Sequence, residues 1–125
     1  MSKDNLRIPH FLDHILQAMA RINRYVQNFD EAAFLANDEK QDAVVRNIEI
    51  IGEAARNIER YHPDFAAHHQ DIPWTEMYFM RNRLSHGYFS VDMELVWKTV
   101  QHDIPVLEKQ ILHLRQALES EGKQD

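Results

Sequence analysis

An all-α fold, an antiparallel bundle of four main helices joined by short helical turns, is what this sequence predicts. Three observations predict it. Apolar residues recur at spacings of three and four along most of the 125 residues, the period of one helix face. Strand-type alternation is scarce, and only three glycines punctuate the chain. Asp, Asn and Pro stand where the apolar stripes begin, which is where helices are capped and entered. The length suits a single domain over residues 1–125, with a core at about 5–119 and a frayed tail at 120–125. With 44% apolar and 27% charged residues there is material for a core and a solvated surface. That composition excludes a disordered or low-complexity chain.

The first helix is expected from about Pro9 to Phe29, with Phe11, Leu12, Ile15, Met19, Ile22, Val26 and Phe29 as its stripe. Pro9 suits the first helical turn. Asp30 reads as the N-cap of a short helix over Glu31–Ala36. Asn37 and Asp38 break that turn and offer a cap for a long helix over Asp38–Tyr61, striped by Val44, Val45, Ile48, Ile51, Ala55, Ile58 and Tyr61. His62-Pro63 ends it, because the residue before proline is pushed out of the α region. A brief helical turn is expected near Asp64–His68, and a third main helix from about Trp74 to His86 with Gly87 at its C′ position. The last helix starts near Asp92 and runs through Leu95, Val96, Val100, Ile104, Leu107, Ile111, Leu114 and Leu118. Pro105 lies inside that pattern, so a kink or brief break is expected there.

Charge and composition narrow the chemistry. Fourteen basic against twenty acidic side chains leave a net charge of −6 with the eight histidines neutral. Any nucleic-acid contact must then come from a local basic patch. The absence of cysteine removes disulfides, thiolate metal sites and cysteine nucleophiles together, and is compatible with a reducing cytoplasm. No apolar run approaches the ~20 residues that span a bilayer, and Met1–Arg7 lacks a signal-peptide core. These readings lead to a cytoplasmic protein with no membrane contact. There is no glycine-rich phosphate loop, no G-x-S-x-G elbow and no H-E-x-x-H. His10 and His14 stand four apart on the first helix, but two imidazoles without a third ligand read as surface decoration, and no metal or other cofactor is expected. His68, His69, His102 and His113 read as solvated.

One stretch stands out. Between Met80 and Tyr88, at the expected end of the third helix, lie Arg81, Asn82, Arg83, Ser85, His86 and Tyr88. On a helix Arg81 and Ser85 share a face, and His86 lies within reach of the surface Arg81 covers. One chemical reading is a metal-free phosphodiester site. Arginine clamps a phosphate, while histidine moves a proton near neutral pH. Together they could activate a ribose 2′-hydroxyl against its adjacent phosphorus and stabilise the charge that develops. The other reading is helix capping, since cationic groups in a last turn complement the negative end of the dipole. Spacing alone does not choose between them.

The same residues resemble a known family. Arg81, four residues, His86, one residue and Tyr88 form the R-x-x-x-x-H-x-Y signature of HepT-like toxins, a branch of the HEPN ribonuclease superfamily. The resemblance extends over roughly residues 5–115 in the same order. Asn47–Ala55 resembles the family's I-G-E-A segment, Ile72-Pro73-Trp74 with Met80-Arg81-Asn82 its W-to-M-R-N helix entry, and Tyr88–Asp92, Val96-Trp97 and Asp103–Leu107 its closing segment. The resemblance implies a HEPN-like helical fold and a homodimer whose motif helices face each other across one RNA-cleaving cleft. It implies a metal-independent endoribonuclease in which His86 transfers protons, Arg81 holds the scissile phosphate and Asn82 orients either. It further implies a partner, a minimal nucleotidyltransferase antitoxin, that transfers AMP to Tyr88 and so blocks the cleft by bulk and charge.

Trp74–Val91 carries Arg81 and Arg83 against only Glu76, a balance of +1 that a two-fold dimer would double. Gly52 inside the long helix costs about 1 kcal/mol against alanine. Close helix crossing accounts for it, while the adjacent Glu53 has a functional alternative, facing the cleft or pairing with Arg81 or Arg83. Trp74, Tyr78 and Trp97 read as core or dimer packing before base-stacking platforms, and Met19, Met77, Met80 and Met93 as gap fillers. Two rival readings remain open: a non-catalytic scaffold for a nucleotidyltransferase or nucleotide, and a plain helical adaptor with a well-capped helix end.

Overall fold

A computed structural model describes residues 3–86 and 90–123, with side chains described for 7–85 and 90–121. In chain order the elements are α1 (Lys3–Val26), α2 (Glu31–Leu35), α3 (Asp38–Tyr61), α4 (Pro63–His68), α5 (Trp74–Arg83), β1 (Ser85–His86), β2 (Ser90–Val91), α6 (Met93–Lys98), a π turn (Thr99–Asp103) and α7 (Ile104–Lys123). The fold is all-α in its architecture. α1, α3, α5 and α7 are the four main helices, and the two strands form only a two-residue antiparallel ladder.

Each boundary has a local cause. Asp30 accepts from the Ala33 amide at 2.8 Å, and Asn37 accepts from the Lys40 amide at 3.0 Å. These bonds satisfy amides left over in the first turns of α2 and α3. Asp92 does the same for Leu95 at 3.1 Å, starting α6. Pro63 occupies the first position of α4, where its missing N–H costs nothing.

Three expectations need correction at their edges. α1 begins at Lys3, so Pro9 is interior to it, and Ile8, 9% exposed, extends the buried stripe one turn towards the N-terminus. α1 ends at Val26 and not at Phe29, because Asn28 adopts a left-handed φ of 68°, which asparagine tolerates well. α5 stops at Arg83 and not at His86. The Leu84 amide closes back on Arg81, Ser85 and His86 pair with Val91 and Ser90, and the Asp92 amide bonds the Leu84 carbonyl at 2.7 Å.

The break expected near Pro105 takes the form of a π turn immediately before it. The Ile104 amide reaches back five residues to Thr99, and Pro105 has no amide to continue an α ladder.

α1 and α3 run antiparallel: Arg7 lies over the Tyr61 ring at one end of the pair, and Lys40 over the Tyr25 ring at the other. Their contact buries Leu12, Ile15, Met19 and Ile22 against Val44, Ile48, Ile51 and Ile58. Each such side chain contributes about 1.5–3 kcal/mol through burial. α7 lies antiparallel to α1, tied by Arg115 Nε to Asp13 Oδ1 at 2.8 Å and by Asn23 to Glu108 at 3.3 Å. The Asp13 hydrogen bond pushes the Arg115 guanidinium above its already high value. Among the described residues no helix is long and apolar enough to cross a membrane.

Candidate active site

α5 carries Arg81, Asn82 and Arg83 of the singled-out stretch, and α3 sets where it lies. A Cβ built on Gly52 would stand 3.1 Å from the carbonyl oxygens of both Met77 and Tyr78. The glycine therefore marks a backbone-to-backbone crossing, the reading that accounts for a residue otherwise costly inside a helix. A turn away, the Thr75 hydroxyl donates to Glu59 Oε2 at 2.7 Å, so α5 runs antiparallel to α3. The Trp74 indole N–H donates to the His69 carbonyl at 3.1 Å and fixes the entry to α5. Trp74, Met77 and Met80 are buried, which accords with packing roles.

Arg81 lies in the last turn of α5, half-buried, and its Nη1 donates to the Ser85 Oγ at 2.8 Å. The spacing argument thus brings the right pair together, although Ser85 has already left the helix for β1. His86 follows in the same ladder, its backbone opposite Ser90. Its side chain, with Gly87, Tyr88 and Phe89, lies outside the described residues. His86 thus lies past the end of α5, in β1. Asn82 is exposed beside Arg81. Arg83 turns back along the helix, donating to the Glu76 carbonyl at 2.7 Å. Glu53 is exposed on α3, and among the described residues it forms no ion pair with Arg81 or Arg83.

The other flank of α5 borders a groove of about 620 Å³. Buried Met77, Met80, Leu84 and Leu107 form its floor, while Asp71, Glu76, Asp103, Leu95 and Val106 stand exposed around it with Arg83. Residues from four separate stretches of sequence make this groove, so no local pattern announces it. Among the described residues no three His, Asp or Glu side chains converge as a metal site. His10 and His14 do approach, with ring centroids 4.2 Å apart on the exposed side of α1.

Residues 15–114 match the family model described as ribonuclease HepT-like, a span that includes Arg81, His86 and Tyr88. The chain belongs to the HepT-like ribonuclease family. Among its relatives in this family is a protein of Thermococcus cleftensis named "Probable ribonuclease HepT", 42% identical over 84% of this chain and 93% of its own length. A Methanocaldococcus jannaschii protein named "Putative RNase" is 37% identical over 89% of this chain and 97% of its own. Another of the same name, from Caldanaerobacter subterraneus, is 36% identical over 85% and 92%. No solved structure matches the chain. The HepT-like resemblance read from the motif is thereby shown, and with it the all-α class.

Proposed function

We propose that this chain is the toxin of a toxin–antitoxin pair and cleaves RNA as a metal-independent endoribonuclease. The observation that carries the reading is the Arg81–Ser85 hydrogen bond at 2.8 Å, one residue from His86, in a member of a ribonuclease family. The serine hydroxyl holds a half-buried guanidinium in place, and a guanidinium so held presents further N–H groups that can meet phosphate oxygens.

In this mechanism His86 removes the proton of a ribose 2′-hydroxyl, and the freed oxygen attacks the adjacent phosphorus. The bond from phosphorus to the 5′-oxygen breaks, leaving a 2′,3′-cyclic phosphate, and the departing oxygen takes up a proton. Arg81 neutralises the charge that gathers on the non-bridging oxygens in the transition state. Asn82 orients either group, and Arg83 adds positive potential beside them.

Two protomers related by a two-fold axis contribute one such set each to a shared cleft. The partner is a minimal nucleotidyltransferase antitoxin. It joins the α-phosphorus of ATP to the Tyr88 hydroxyl and releases pyrophosphate, placing bulk and negative charge over the cleft. The protein works in the cytoplasm.

The test uses metal-stripped protein, made without a partner and shown by intact mass to carry no AMP, incubated with total RNA in EDTA. Discrete cleavage by the parent and none by His86→Ala is the expected result. Equal cleavage by both would remove His86 from the mechanism, and no cleavage by the unmodified parent would move the chain to the scaffold reading.

A further inference from the structure

We propose that the seam between α3 and α5 is a binding track for single-stranded RNA leading to Arg81, with Arg56 and Tyr78 as its principal contacts. This rests on the ribonuclease reading and extends it to residues outside the motif.

The geometry begins one turn before Arg81. Tyr78 stands three residues earlier on α5 and so shares a flank with it. The guanidinium of Arg56, reaching across from α3, lies over the Tyr78 ring with Cζ 5.1 Å from the centroid. Phe79 packs beside that ring at 4.7 Å and is 44% exposed. One turn further along α3, about 6 Å on, Arg60 lies over the Tyr61 ring at 5.3 Å, a ring that also receives Arg7 of α1 and so faces the α1 side, outside the seam. The cation–aromatic stack beside Arg81 is therefore Arg56 over Tyr78, with Phe79 next to it.

Arg56 and Arg60, like the other described arginines except Arg115, form no ion pair among the described residues. Acidic residues outnumber basic ones by 20 to 14, yet among the described residues the ion pair formed is Arg115–Asp13. Glu59, between Arg56 and Arg60 in sequence, accepts from the Thr75 hydroxyl. Glu49 and Glu53 lie on the same helix without closing an ion pair to either arginine. A guanidinium held over a ring loses little further entropy on meeting a phosphate. Exposed rings add faces for unstacked bases, the feature that separates single-stranded from duplex RNA recognition. The opposite flank of α5, edged by Asp71, Glu76 and Asp103, would repel the same backbone.

The test measures anisotropy of a fluorescein-labelled single-stranded oligoribonucleotide titrated with His86→Ala protein, so that bound RNA stays intact. In that background Arg56→Gln is expected to weaken binding about tenfold, as is Tyr78→Leu, with Tyr78→Phe close to the parent. Arg24→Gln is the control: it removes an arginine that also lies over a ring, at 5.5 Å on Tyr25, but at the far end of the α1–α3 pair. It should change affinity less than about twofold. In otherwise unaltered protein the Arg56→Gln loss should appear in KM. Parental affinity for Arg56→Gln, or a loss no larger than that of Arg24→Gln, overturns the track while leaving the nuclease intact. A parent that neither binds nor cleaves RNA overturns the track and the ribonuclease reading together.

Discussion

The two flanks of α5 are built from one ten-residue helix and offer opposite surfaces. Towards α3 it presents Thr75, Tyr78 and Arg81, close enough to Gly52 that backbone meets backbone. Towards α6 and α7 it presents Met77, Met80 and Arg83 over an apolar groove edged by three carboxylates. Arg81 and Arg83 are two residues apart, yet one is steadied by a hydroxyl and the other folds back on a carbonyl. Equal charge at neighbouring positions thus does not mean equal function, because helix periodicity assigns the two arginines to different environments.

Breaking the first flank should have the largest consequence. Arg81→Ala is expected to lower kcat for RNA cleavage about 10²–10³-fold, as loss of a transition-state charge partner does. Arg83→Ala should cost less than about tenfold, and single-turnover rates on one substrate would compare them. Equal losses would mean that the flanks are not functionally distinct. Next comes Gly52→Val, whose side chain would strike the Met77 and Tyr78 carbonyls. An expected destabilisation of about 2–3 kcal/mol, read from urea midpoints, follows from overpacking against backbone that cannot move aside. A smaller effect falls on Ser85→Ala, which frees the Arg81 fork without removing it. Its kcat should drop about three- to tenfold, in line with a net hydrogen-bond contribution near 1 kcal/mol. Smallest is Asp13→Asn, which removes the partner of Arg115 on a part-exposed surface. It should lower stability by less than about 1 kcal/mol and leave both flanks unchanged.

How much of this was legible depended on how local the cause was. α3 is bounded as the sequence implies, Asp38–Tyr61, because its limits lie in adjacent residues: the Asn37 cap and the His62-Pro63 stop. The end of α5 was not legible, since Ser85 and His86 leave the helix to pair with residues at 90–91. The π turn is equally silent: Val96, Val100, Ile104 and Leu107 keep helical spacing straight through it, and only Pro105 signals an interruption. Within the site, the spacing of four residues joined Arg81 to Ser85 correctly. Nothing in that spacing pointed to Arg56, which reaches Tyr78 from 22 positions away and only through the Gly52 crossing.

The bond from the Trp74 indole to the His69 carbonyl has a spectroscopic consequence. The chain holds two tryptophans, and the second, Trp97, sits on α6 with its ring 5.4 Å from Phe34. Replacing Trp97 with phenylalanine would leave a single tryptophan, selectively excited at the red edge, at the first residue of α5, buried and with its N–H engaged. Its wavelength and quenching would then follow the anchoring of that helix alone. RNA titrations could be recorded without a label, and movement of α5 told apart from unfolding of the bundle.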